Sequence, residues 1–207
     1  MKKALITSVI LFIAAAGYSQ HLSVNAYGGY TFDDKINFSN AQALIKGGGM
    51  WGASIEGVNA QGSGLELLYQ YQSTSVPVTL YNSNNQNSHN NSTVVSYLLL
   101  NFEQYMMNNP KVQPYGAIGL GASFYKGTEA TSSATKFAWD LKIGVKLKAS
   151  ESLGFKIGAQ LLGSSQATGT AFYYPPYWGY PPYAYTTYAT ILQFGFTGGL
   201  VFDFGGH

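Results

Sequence analysis

The segment TKFAWDLKIGVKLK, residues 135 to 148, alternates without a break. Phe137, Trp139, Leu141, Ile143, Val145 and Leu147 share one parity, and Lys136, Ala138, Asp140, Lys142, Gly144, Lys146 and Lys148 share the other. Successive strand side chains point to opposite faces, so the segment predicts a strand with one apolar and one polar side. It exceeds the roughly five or six residues usual in soluble strands and meets the ~9–11 that a tilted strand needs to cross a bilayer.

Seven further segments carry the same period. LSVNAYGGYTF (22–32) sets Val24, Ala26 and Tyr30 against Asn25, and GGMWGASIEGV (48–58) sets Trp51, Ala53 and Ile55 against Ser54 and Glu56. GLELLYQYQS (64–73) turns Leu65, Leu67, Tyr69 and Tyr71 outward and Glu66, Gln70 and Gln72 inward. TVVSYLLLNF (93–102) is apolar on both faces, so its inward side is open. PYGAIGLGASFY (114–125) opposes Ile118, Leu120, Ala122 and Phe124 to Ala117, Gly119, Gly121 and Ser123. SLGFKIGAQLL (152–162) opposes Leu153, Phe155, Ile157 and Ala159 to Lys156, Gly158 and Gln160. TILQFGFTGGLVFDF (190–204) opposes Leu192, Phe194, Phe196, Leu200, Phe202 and Phe204 to Gln193, Thr197 and Asp203. The connections are expected at 33–47, 59–63, 74–92, 103–113, 126–134, 149–151 and 163–189. Apart from the intermediate 103–113 turn, the odd-numbered set is the longer, as in barrels with short periplasmic turns and long extracellular loops. Large aromatics alternating with Lys, Asp, Glu and Gln suit lipid outside and a polar lumen, the reverse of a lipocalin-like barrel. The predicted fold is an all-β, eight-stranded, antiparallel, up-and-down transmembrane β-barrel.

Composition agrees with that reading. Charged residues are 10% of the chain, against about 25% in ordinary soluble domains. Aromatics reach 15%, with 17 Tyr and 25 Gly. A net charge of +2, carried by lysine without arginine, is too weak for a nucleic-acid footprint. The opening MKKALITSVILFIAAAGYSQ has a Lys2–Lys3 n-region and an apolar run from Ala4 to Ala16, the pattern of a cleaved signal peptide. Cleavage after Ser19 or after Ala16 fits the small residues there, and the favoured division is a signal peptide at 1–19 and a barrel domain at 20–207. With no cysteine there is no lipobox, disulfide or thiolate site. The expected location is the outer membrane of a Gram-negative bacterium.

Three features carry a resemblance to a known family. They are the glycine- and aromatic-rich first strand VNAYGGYTF, the strand VQPYGAIGLGASFY, and the last strand GLVFDF. On these the chain resembles the small eight-stranded outer-membrane β-barrels, OmpA-like membrane domains and OmpX-like proteins. The resemblance implies outer-membrane lipid as surroundings. It also implies that Leu200, Phe202 and Phe204 form the C-terminal signal read by the barrel-assembly machinery, here followed by Gly205, Gly206 and His207. It implies no particular activity.

Catalysis finds no constellation. His21 and His207 lie at the mature ends, and His89 lies in the polar loop YNSNNQNSHNNST. A general base needs an orienting partner, and no metal or phosphate motif appears, so no enzyme activity and no cofactor are expected. Paired glycines such as Gly28–Gly29, Gly119, Gly121 and Gly198–Gly199 lack a strand–loop–helix setting and are expected to relieve crowding inside the barrel. Inward charge is the chemical feature that remains. Glu56, Glu66, Lys142, Lys146, Lys156 and Asp203 form the expected lumen network, mostly toward the periplasmic half. If residue 148 pairs near 154, Lys146 faces Lys156, which is destabilising unless Glu66, Glu56 or Asp203 intervenes. Such a network serves a plugged lumen, or lines a narrow porin-like path for small solutes.

Outside, the stretch FYYPPYWGYPPYAYTTYA (172–189) repeats YPPY. Proline cannot donate to a sheet ladder, so the PP pairs belong to a loop. Tyr174, Tyr177, Trp178, Tyr180 and Tyr183 are its candidate contact residues for a surface ligand or a host or cell partner.

Overall fold

A computed structural model of the chain describes residues 21–37, 41–80, 88–127, 133–173 and 183–204. The segments of period two become β1 (His21–Thr31), β4 (Gly48–Val58), β5 (Ser63–Leu80), β6 (Ser88–Tyr105), β7 (Val112–Gly127), β8 (Ser133–Lys148), β9 (Leu153–Tyr173) and β10 (Tyr183–Phe204). Each pairs antiparallel with its neighbours, β5 pairs with β6, and β1 joins β4 on one side and β10 on the other, so the eight close into a ring. Closure leaves no barrel strand at a bare edge within the apolar zone, which is what lets a sheet satisfy its backbone inside lipid.

The register sets the barrel's shape. From Leu22 the pairing runs to Gly57, Leu65, Phe102, Ile118, Leu141, Leu161 and Phe194. Phe194 O accepts from Phe32 N at 2.8 Å, so one circuit returns ten residues further along β1. With a rise near 3.3 Å per residue and strands ~4.7 Å apart, that stagger tilts the strands by roughly 40°. A barrel of eight strands at this tilt has an interior just wide enough for side chains to fill.

Lower turns are short and held by their own side chains. Asn59 Oδ1 accepts from the backbone N–H groups of Gln61 (3.0 Å) and Ser63 (2.9 Å), and Gly62 at φ 84° occupies a conformation that side-chain-bearing residues rarely adopt. Asn109 Oδ1 takes the N–H of Lys111 at 2.8 Å, and Ser150 Oγ takes that of Leu153 at 3.1 Å.

The upper connections differ from expectation. The segment 33–47 contains a hairpin, β2 (Asp34–Asn37) and β3 (Ala41–Ile45), whose Ala41–Ala43 pair with Val78–Leu80 of β5. The expected loops 74–92 and 163–189 shrink because β5 and β6 pair as far as Thr79 with Ser88, and β9 and β10 as far as Tyr173 with Tyr183. The reason is that alternation marks only the part of a strand that meets lipid. Above it, uncharged Ser, Thr and Tyr still suit a pleated ladder, and pairing across the hairpin satisfies the backbone.

Every facing expected for the seven alternating strands is observed, and register resolves the ambiguous one. Val95, Tyr97, Leu99 and Asn101 of β6 point inward and are buried, while Leu100 and Phe102 are exposed outside. Of the paired glycines, Gly28 and Gly198 face outward, so the relief of crowding falls to their neighbours Gly29 and Gly199.

Candidate functional site

The exterior and the lumen have opposite chemistry. Outside, exposed aliphatic residues such as Ile55, Leu100, Ile118, Leu141, Ile143 and Ile157 form a middle band. The strand stagger places Phe155, Phe202 and Phe204 toward the lower rim. Phe32, Trp51, Tyr69, Phe137 and Phe194 lie toward the upper one. Ring pairs tie the upper belt, with Phe32 stacked on Phe194 at 6.0 Å and Trp51 on Tyr71 at 5.2 Å. An apolar band between two aromatic girdles is the exterior that a membrane-spanning barrel presents to lipid.

Inside, side chains form layers. At the lower mouth Lys146 Nζ donates to Asp203 Oδ1 at 2.8 Å, and the Ser23 hydroxyl donates to the same oxygen. One level up, Lys156 Nζ reaches Glu56 Oε2 at 3.1 Å and both oxygens of Glu103 at 3.0 and 2.9 Å. Its ammonium also sits 4.5 Å from the Tyr115 ring centroid, a cation–π contact. The Tyr105 hydroxyl lies between the two acids, 2.5 Å from Glu56 Oε1 and 3.0 Å from Glu103 Oε2. Asn25 Nδ2 adds a donor to Glu56 at 2.9 Å. In the next layer Glu66 collects Lys142 Nζ at 2.8 Å, Asn101 Nδ2 at 2.8 Å and the Ser54 hydroxyl at 2.6 Å. Lys142 is also 3.5 Å from Asp140 Oδ2.

Above the charges comes an uncharged cap. Leu68, Val95, Tyr97, Leu99, Ala138 and Leu162 make a buried cluster. Beside it Gln70 and Gln160 direct their amides at Met50 Sδ, at 3.0 and 3.2 Å. Gln72 bridges Thr31 and Gln193 at 2.8 and 3.1 Å. Tyrosines fill the space that glycines leave open: Tyr115 lies over Gly144 and Gly158, and Tyr27 over Gly52 and Gly199. Between the ionic layers remains a void of about 30 Å³ that Tyr27, Glu66, Tyr115, Lys142 and Lys156 help to line. That exceeds the roughly 10–15 Å³ that a polar cavity needs to hold a water molecule.

The six lumen residues singled out in the sequence all point inward. Lys146 and Lys156 are direct cross-strand partners, as Lys148 is with Gly154. Asp203 takes Lys146, Glu56 takes Lys156, and Glu66 takes Lys142 rather than either of that pair. Two acids of the network lie outside the set expected from the sequence: Asp140, on the polar parity of β8, and Glu103, which falls in the expected turn at 103–113. Its parity with Asn101 would have placed it inside. Leu200, Phe202 and Phe204 line the outer face of β10, paired with Ala26, Val24 and Leu22 of β1. Tyr183 opens β10, whereas Tyr174, Tyr177, Trp178 and Tyr180 lie outside the described residues, as does the expected signal peptide.

No family model matches the chain, and no curated protein matches it in sequence. Solved structures do match. The chain is similar to the outer membrane protein OprG from Pseudomonas aeruginosa at 15% identity and a TM-score of 0.56, covering 91% of this chain and 98% of that one. Neisserial surface protein A follows at 9% identity and 0.54, covering 90% and 98%. Ail, the attachment invasion locus protein of Yersinia pestis, solved with the heparin analogue sucrose octasulfate, gives 10% identity and 0.51, covering 89% and 98%. Ring closure, the lipid-facing exterior and these likenesses together establish that the chain has the fold of the small eight-stranded outer-membrane β-barrels.

Proposed function

We propose that the protein is an integral outer-membrane barrel whose lumen is plugged and which works through its outer surface, without catalytic chemistry. The observation that carries this is the layered lumen. Lys142, Lys146 and Lys156 are each spent on carboxylates within 3.1 Å, and the cap above them is built of buried apolar and amide side chains. An ion crossing the barrel would have to break those pairs in a low-dielectric interior, where an unpaired charge is expensive. The extended upper strands β5–β6 and β9–β10, with the β2–β3 hairpin, then rise beyond the lipid-facing band on the side offered to a surface ligand or a cell partner. The Tyr/Pro-rich connection is the first candidate, since tyrosine offers contact area at low entropic cost. Leu200, Phe202 and Phe204 serve recognition by the barrel-assembly machinery.

Planar-bilayer recording of the purified protein tests the plug. Conductance indistinguishable from an empty bilayer is expected, and steady single-channel steps would support the narrow solute path instead. Deleting residues 172–187 tests the surface role, which fails if binding to cells and surfaces is unchanged.

A further inference from the structure

The ion pairs of the lumen leave two acids over. Among the described buried groups of the network, five carboxyls (Glu56, Glu66, Glu103, Asp140 and Asp203) face three ammonium groups (Lys142, Lys146 and Lys156). Asp140 is the poorest served. Neither of its oxygens has a donor in full hydrogen-bond geometry, and Lys142, at 3.5 Å, makes its shorter bond to Glu66.

Beside it sits Asn101, also fully buried, whose amide lies between two acids. Its Nδ2 donates to Glu66 Oε2 at 2.8 Å, so its carbonyl oxygen turns the other way and has no donor. That oxygen and Asp140 Oδ1 converge over the bare Cα of Gly119. Both crowd the place that a Gly119 Cβ would take. Two acceptors crowded over one bare Cα repel, and turning the amide over only moves the conflict to Glu66. A metal cation fits poorly, since the Lys142 ammonium already holds one approach and the Gly119 backbone closes the floor. A hydrogen fits.

We propose that Asp140 is a proton-binding site in the lumen, a neutral carboxylic acid that donates to Asn101 Oδ1 and completes a chain from Asp140 through Asn101 to Glu66. The titratable groups around it are Lys142 on its own strand, Glu66 on β5, Tyr27 on β1, and Glu103 and Lys156 beyond. β6 contributes Asn101, β7 contributes Gly119, and β9 contributes Leu162, its cross-strand partner. The proton lets two acids share one lysine and the bare Cα of Gly119 accommodate both oxygens. The inference concerns the lumen's chemistry and stands whether or not the barrel conducts.

The test uses the full chain folded in lipid with carboxyl-¹³C aspartate. The sequence has four aspartates, so D140N identifies the Asp140 signal by subtraction. At neutral pH the Asp140 carboxyl carbon is expected at the neutral-acid position, with an infrared carbonyl band that shifts in deuterium oxide and is missing from D140N. D140N keeps a donor toward Asn101, so its unfolding constant is expected to change less than about threefold. A carboxylate signal for Asp140 at neutral pH overturns the proposal, and so does a loss of stability beyond tenfold in D140N. If D140N does not fold, the other three signals are removed with D33N, D34N and D203N, and the remaining one decides.

Discussion

Replacing Lys156 with methionine removes one positive charge and leaves the chain's bulk in place. In the native lumen that ammonium serves two acids, at 3.1 Å from Glu56 and 2.9 Å from Glu103, and all three groups are nearly shut off from water. At an effective dielectric constant near 20, each contact is worth about 5–6 kcal/mol before desolvation. Stripping water from the ammonium returns several kcal/mol of that, so the net expectation follows measured losses of one partner from buried pairs, ~3–5 kcal/mol. The loss belongs at the upper end, because two carboxylates are orphaned and the Tyr105 hydroxyl, with one proton to give, cannot satisfy both. Adding Glu103→Gln removes one orphan and is expected to recover about half. The assay is urea unfolding in lipid vesicles followed by tryptophan fluorescence and extrapolated linearly. Trp51 and Trp139 both lie on the outer face, so the signal reports loss of the lipid contact. A loss below about 1 kcal/mol for Lys156→Met would refute the claim that this pair of contacts holds the lower lumen together.

Three further outcomes follow from the same geometry. Ile143 is 71% exposed midway between the aromatic belts, so Ile143→Arg is expected to cost ~2–4 kcal/mol in the vesicle assay, while Val112→Arg at the lower rim costs about 1 or less. Gly119→Ala puts a methyl group into the Asn101–Asp140 contact and is expected to destabilise by ~1–3 kcal/mol, measured by the same unfolding curves, with Gly116→Ala on the outer face as a near-neutral control. Lys146→Met breaks the pair with Asp203 and is expected to cost less than Lys156→Met, since it orphans one acid rather than two; the reverse order would contradict the layered account.

Much of the fold was legible in the chain because one physical fact repeats in it. A strand between lipid and a wet or polar lumen must alternate, and β8 does so over its lipid-facing length without an exception. The same parity put Glu56, Glu66, Lys142, Lys146, Lys156 and Asp203 inside, and the condition that set Lys146 opposite Lys156, the pairing of residue 148 with 154, holds in the register. The places where reading failed are those where alternation is silent. β6 is apolar on both faces, so the side that buries Leu99 rather than Leu100 depends on its neighbours. Glu103 was lost for a related reason, as an acid at the end of a pattern is indistinguishable from one in a turn. The ladders above the membrane were missed because residues there face water on both sides, and nothing in their polarity then distinguishes strand from loop.

The sequence by itself therefore determined the number of barrel strands, the facing of seven of them and the sign of the inward charges on those seven, since these depend on neighbours one or two residues away. Only the tertiary structure decided which acid meets which lysine. Glu56 and Lys156 lie 100 residues apart, and Glu66 and Lys142 lie 76 apart. Their meeting is fixed by a stagger of ten residues per circuit, which no local stretch of chain encodes. That stagger also brings Asp140, Asn101 and Gly119 together from three strands, turning an unremarkable polar position into the one acid of the lumen whose oxygens find no donor of their own.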